Sequence, residues 1–316
     1  MEEPILIELP GVERLSITTS LGSMVYYTPT FAAPWMVGGD TEGADGRPTL
    51  AFLHGFGGGS SAYEWSKVYP AFADEYRVIA PDLIGWGRSH HPERNYSPDD
   101  YITTIVEFLE QVCDTPTAVV ASSLTAAIVA RAAIARPELF KLLILTAPAG
   151  LSDFGRDYSR NFFAQLVSTP VLDRVIYNAG VATAGGIRNF LETRQFANPE
   201  RVYEEIVMAY LASAQQPNAE YAALSFVRGD LSFDLARYIG QVQIPTAIIW
   251  GRESQFTGPE IGKRLAALNP QYIRSFIELP EVGLTPQLEV PGVAIALVGR
   301  FLKELSVVTP PVSAPQ

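Results

Sequence analysis

Two adjacent serines, Ser122 and Ser123, stand where a short apolar run, V-V-A, gives way to the helix-prone L-T-A-A-I-V-A. Upstream, L-A-F-L leads into His54-Gly55-Phe56-Gly57-Gly58-Gly59, a loop whose backbone N–H groups can face a ligand unobstructed. A serine hydroxyl attacks a carbonyl only when a neighbour accepts its proton, most often an imidazole. The chain holds three histidines, His54, His90 and His91, and none from Pro92 to Gln316. Its one cysteine, Cys113, lies in the apolar run V-E-F-L-E-Q-V-C and reads as packing rather than as a nucleophile. Three histidines and one cysteine, none with ligand spacing, offer no metal site. The glycines 57–59 lack the lysine of a phosphate loop and the spacing of a dinucleotide fingerprint, so no cofactor is expected.

The elements that must position these residues alternate. Short apolar runs at 49–54, 77–80, 117–121, 142–146, 246–250 and 273–279 read as strands. Helical patterns fall between them near 63–74, 98–112, 124–136, 258–268 and 290–304. That alternation predicts a mostly parallel sheet with helices on both faces. Residues 13–29 predict a hairpin turning at Leu21-Gly22-Ser23, followed by a Gly- and Asp-rich loop at 37–47. Asp99 and Asp100 suit the positive end of a helix dipole, and Gly258-Pro259-Glu260 reads as a helix start. Between Thr146 and Thr246 the strand spacing breaks, and amphipathic stretches, clearest at 202–213, predict a helical insertion. The expected organisation is therefore a core of 1–150 and 237–305, a helical cap or lid at 151–236, and a loose tail at 306–316.

Composition sets limits. The 316 residues are 47% hydrophobic and 18% charged, enough apolar mass for a large core and too much for wholesale disorder. A formal charge of −11 argues against nucleic acid or an anionic membrane surface as partner. No run approaches the ~18 uninterrupted apolar residues of a membrane span, so none is expected. The acidic, proline-broken start and the lone cysteine suit a soluble, cytoplasmic protein.

Along residues 13–305 the chain resembles the α/β-hydrolase fold superfamily, on four motifs. In L-A-F-L-H-G-F-G-G-G the resemblance makes the Phe56 amide one oxyanion donor and His54 a hydrogen-bonded structural residue. In A-P-D-L-I-G-W-G-R-S, residues 80–89, it implies an architectural turn tied by Asp82. In V-V-A-S-S-L-T-A-A, residues 119–127, it puts Ser123 at the nucleophile position and the Leu124 amide as second oxyanion donor. Ala121 and Thr125 replace the two glycines of that turn; Thr125, being β-branched, should press on the adjacent strand or relax the turn.

The fourth motif departs from the family. After Trp250-Gly251, Ser254 occupies the acid position, and in Gly283-Leu284-Thr285-Pro286 Leu284 occupies the histidine position. Losing the base or nucleophile of a serine hydrolase costs roughly 10⁶-fold in turnover, and leucine accepts no proton. Glu253 and Glu281 lie near the lost positions, but a carboxylate of ordinary pKa is a weak base for a hydroxyl. His90 and His91 belong to a loop that the resemblance sets apart from the serine.

Three readings stay open. The first is a non-catalytic homologue binding an apolar or acyl small molecule, with Gly55, Tyr63, Trp86 and Phe256 as candidate pocket residues beside His54. The second is a serine esterase, or a non-hydrolytic enzyme, working through Ser123 and the Phe56/Leu124 amides with a non-standard base. The third is a scaffold or assembly partner of another protein, its pocket plugged by apolar residues including Leu284.

Overall fold

The computed structural model describes residues 11–30, 46–114, 116–155 and 177–306. The expected Gly- and Asp-rich loop as far as residue 45, and the expected tail from 307 onward, lie outside them.

Strands β1 (Val12–Thr19) and β2 (Gly22–Pro29) form the antiparallel hairpin, with Thr19 opposite Gly22 at its turn. Then come β3 (Thr49–Leu53), β4 (Arg77–Pro81), β5 (Thr117–Ser122), β6 (Phe140–Thr146), β7 (Thr246–Gly251) and β8 (Ile273–Leu279). The eight strands lie in the order β1-β2-β4-β3-β5-β6-β7-β8. All pairings from β4 to β8 are parallel, while the hairpin joins antiparallel through Tyr26–Pro81 and Tyr27–Ala80. Every residue of β3, β5 and β7 is buried, which explains why they read as unbroken apolar runs rather than alternating ones. This is the mostly parallel sheet that the alternation predicted, in the α/β-hydrolase fold that the motif resemblance implied.

Helices α1 (Pro98–Val112) and α2 (Ser123–Ala135) pack together on one face. Ser97 and Asp100 cap α1 reciprocally, so Asp100 satisfies an orphan amide as well as the dipole. On the other face Phe52, Trp65, Tyr69 and Phe72 pack with Val298 and Phe301 of the C-terminal helix. The helix expected near 63–74 is instead two 3₁₀ turns, Ala62–Trp65 and Tyr69–Phe72. Ser61 caps the first, and Pro70 at the start of the second lacks the N–H that a continuous ladder needs.

Between β6 and β7 the described residues form α3 (Ala184–Phe190), α4 (Glu204–Ala214) and α5 (Ala219–Arg228), with short turns between them. The chain enters and leaves this segment through one neck. Leu151 bridges Phe233, and Asp153 accepts from the amides of Gly150 (2.8 Å) and Leu235 (2.7 Å). A side chain at Gly150 would stand 2.2 Å from the Phe233 carbonyl oxygen, so glycine sets the closeness of the neck. Beyond it come α6 (Pro259–Ala267), the single turn α7 (Pro286–Glu289) and α8 (Pro291–Ser306). Cys113 is free and half-buried at the end of α1. No helix among the described residues is long and apolar enough to cross a membrane.

Candidate functional site

The turn from β5 into α2 carries Ser123, whose φ of 56° is left-handed. For a non-glycine residue that costs about 1–2 kcal/mol, and it points the side chain out of the strand-to-helix corner. Thr125 has therefore not relaxed the turn, one of the two outcomes that the sequence left open. It is fully buried in the first turn of α2, and its Oγ1 finds no partner among the described residues. Ala121 sits in register between Leu53 and Leu145, where a methyl group fits.

The Gly55–Gly59 loop comes down onto this turn. A Cβ on Gly55 would lie 3.0 Å from Ser122 Oγ and 3.3 Å from Ser123 Cβ, so any side chain there would press the two serines back by a few tenths of an ångström. Phe56 is pinned by its ring, stacked on Trp86 (5.3 Å) and tilted against Tyr101 (4.6 Å). Its amide makes no hydrogen bond among the described residues. The Leu124 amide lies in the first turn of α2, where amides lack intrahelical acceptors.

No imidazole serves Ser123. His54 is wholly buried; its Nε2 accepts from the Leu83 amide (2.9 Å), which leaves the proton on Nδ1 to donate to the Gly55 carbonyl (2.7 Å). Burial holds it neutral, with a pKa lowered to about 4. His90 packs on the hairpin turn, within reach of the Leu21 carbonyl (3.1 Å), and burial lowers His91 to about 4. The Oγ of Ser123 makes no hydrogen bond among the described residues.

A carboxylate that the sequence reading passed over lies beside the turn. Glu64 is 2% exposed, and its oxygens accept from four donors. Oε2 takes the Gly55 amide (2.9 Å) and Ser122 Oγ (3.3 Å); Oε1 takes Ser60 Oγ (2.7 Å) and the Tyr210 hydroxyl (3.1 Å). Burial pushes this carboxyl above the ordinary range, while the donors pull the other way. The only sequence signal was one acidic residue between Tyr63 and Trp65, which carries no motif.

From Glu64 the contacts run on to the histidine position. Gln195 Nε2 donates to the Tyr210 hydroxyl (2.7 Å) and approaches Thr285 Oγ1 (3.2 Å), while the Leu284 amide donates to the Gln195 carbonyl (2.7 Å). Leu284 itself is buried in the core. The loop is held further by Glu289, which accepts from the amides of Gly283 (2.6 Å) and Ala197 (2.9 Å). Ser254, which the resemblance sets at the acid position, has its Oγ buried with no partner among the described residues. Its neighbour Glu253 accepts from the Val282 amide (3.1 Å), and Arg201 reaches the Glu281 carbonyl (2.8 Å). Both sequence-level candidates for a substitute base thus sit on this loop junction.

A cavity of about 760 Å³ lies beside the site rather than over Ser123. Gly57 and Gly58 form part of its wall, with Phe190, Phe226 and Phe256; Ser123 and Leu284 do not line it. Trp86 is instead core, its Nε1 donating to the Tyr101 hydroxyl (2.9 Å). Tyr63 is buried too, its hydroxyl donating to Glu205 (2.8 Å) beside a separate small cleft. Asp82 ties its turn as expected, accepting from the Ala62 (2.7 Å) and Arg88 (2.9 Å) amides and the Tyr27 hydroxyl (3.1 Å). Among the described residues no group of three His, Cys, Asp or Glu is placed to hold a metal ion.

Residues 48–283 match the profile of the alpha/beta hydrolase fold family. The chain belongs to that family. Curated relatives include the uncharacterized hydrolase YugF of Bacillus subtilis, 27% identical over 262 residues, or 82% of this chain and 91% of that protein. Another is human Epoxide hydrolase 4, 26% identical over 278 residues, spanning 83% of this chain and 74% of the relative. Among solved structures, the epoxide hydrolase CorEH superposes with a TM-score of 0.73 at 20% identity, covering 93% of this chain and 99% of that one. A meta-cleavage product hydrolase from Pseudomonas fluorescens IP01 gives 0.69 at 24% identity, covering 92% and 97%. At such identities the solved structures speak to the fold alone.

Proposed function

We propose that this α/β-hydrolase family member binds an apolar small molecule without acylating Ser123, its triad having degenerated to Ser123, Ser254 and Leu284. The observation that carries the reading is the hydrogen-bonded run from Ser122 through Glu64, Tyr210 and Gln195 to Thr285. It joins the nucleophile turn to the loop where the family's histidine stands, and it contains no imidazole. Glu64 takes no hydrogen bond from Ser123 among the described residues; its four donors are Gly55, Ser60, Ser122 and Tyr210. In this reading residues 151–236 form the cap, held to the core by Gln195 and Tyr210, and the cavity beside the site takes the ligand. A partner protein docking on this scaffold has no comparable support on the surface, where large exposed apolar residues such as Tyr203, Leu268 and Val293 lie apart in sequence.

A second reading draws on the relatives, several of which are named hydrolases. Ser123 with the Phe56 and Leu124 amides would attack an acyl carbonyl, given a proton acceptor. A fluorophosphonate probe and a panel of short acyl esters, applied to wild type and Ser123→Ala, separate the two. Non-catalytic binding predicts no labelling and equal background hydrolysis. Stoichiometric labelling that disappears in Ser123→Ala would establish the esterase instead.

A further inference from the structure

The cavity beside the site has a chemical polarity of its own. Its inner wall is Ile187, Phe190, Phe226, Val227 and Phe256 around the backbone of Gly57, with the Phe190 and Phe256 rings 6.2 Å apart. Four lining residues are exposed and polar: Asn189, Thr193, Arg194 and Gln255. Among the described lining residues Arg194 alone is charged.

That arginine stands out in a chain with a formal charge of −11. The acidic residue beside it, Glu192, is paired with Arg188, which also holds Glu204. Arg194 has no ion pair among the described residues. Its backbone is fixed all the same, since the next residue, Gln195, is buried and bonded to Tyr210 and Leu284. An apolar chamber with one anchored guanidinium at its rim complements a molecule that is apolar along its length and anionic at one end. A single cation balances a single charge. A phosphate monoester, carrying nearly two, would call for a second cation that the described lining does not supply.

We infer that the cavity binds a medium- to long-chain aliphatic carboxylate, its chain between Phe190 and Phe256 and its carboxylate held by Arg194. This rests on the proposed binding function and adds the headgroup and its receptor. No bond is made or broken.

The test is isothermal titration calorimetry of the full chain with decanoate, 1-decanol and decyltrimethylammonium, each below its aggregation concentration, on wild type and Arg194→Met. Arg194 is exposed, so the variant should keep the fold, as circular dichroism will verify. Wild type should bind decanoate at least about tenfold tighter than decanol, a gap that narrows with added salt. Arg194→Met should bind the two equally. Equal binding of acid and alcohol by wild type, or a preference that survives in Arg194→Met, overturns the headgroup assignment while leaving cavity binding in place. Tightest binding of the ammonium compound overturns it as well. Failure of all three ligands to bind wild type overturns both this inference and the binding function beneath it.

Discussion

Replacing Glu64 by leucine should destabilise the protein far more than removing one acidic residue from an acidic chain would suggest. The carboxylate accepts from four donors in a site that is 2% exposed. Each donor left buried without an acceptor costs about 1–3 kcal/mol. The Gly55 amide cannot turn away and bears its penalty in full, whereas the hydroxyls of Ser60, Ser122 and Tyr210 can partly re-aim. Removing the carboxylate also relieves its own desolvation, which offsets part of the loss. The net expectation for Glu64→Leu is ~3 kcal/mol, a large fraction of the ~5–15 kcal/mol that holds a domain folded. Glu64→Gln should cost less, about 1–2 kcal/mol, because its carbonyl can keep the Gly55 amide while its NH₂ donates to hydroxyls that rotate to accept. Urea unfolding followed by circular dichroism measures both, read as a shifted midpoint at constant slope. A double-mutant cycle with Tyr210→Phe should give a coupling above about 0.5 kcal/mol. The account of Glu64 as the tie between loop, turn and inserted helices is wrong if both variants unfold within ~0.5 kcal/mol of wild type.

Thr125→Val should stabilise by about 1 kcal/mol, since it exchanges an unpartnered buried hydroxyl for a methyl group of nearly the same shape; a lowered melting temperature would mean that the hydroxyl has a bound water for partner. Asp82 gives a dependence on pH. Burial raises its pKa from 3.8 to about 7, so the folded state keeps a proton that the unfolded chain releases. Its contribution is full below pH ~4 and is lost as pH rises through about 7, with a limiting slope of ~1.4 kcal/mol per pH unit. Asp82→Asn should therefore flatten the fall in stability between pH 5 and 8, and equal slopes in the two proteins would refute the assignment.

Most of the fold was legible because parallel strands buried on both faces leave continuous apolar runs, and β3, β5 and β7 begin where their runs do. Residues 63–74 have helical apolar spacing but form two 3₁₀ turns, because Pro70 lacks the N–H that a continuous ladder needs. Trp86 and Tyr63 are only candidates for the pocket in the sequence, because aromatics serve a core and a cavity equally well. Only packing decided, with Trp86 under the Phe56 ring and Tyr63 turned to Glu205. From the sequence Thr125 should either press on the adjacent strand or relax the turn; the turn is not relaxed, and the close-packed Gly55 loop and the buried first turn of α2 surround the left-handed Ser123.

By itself the sequence determined the strand and helix order and the absence of any imidazole beyond His91, because those are properties of local pattern and composition. The tertiary structure alone decided what surrounds the nucleophile turn. Glu64 meets Ser122 and Tyr210 across 58 and 146 residues of chain, and no spacing rule reaches that far. Burial gives that carboxylate its importance, and burial arises only when the strands, the glycine loop and the inserted helices close around it.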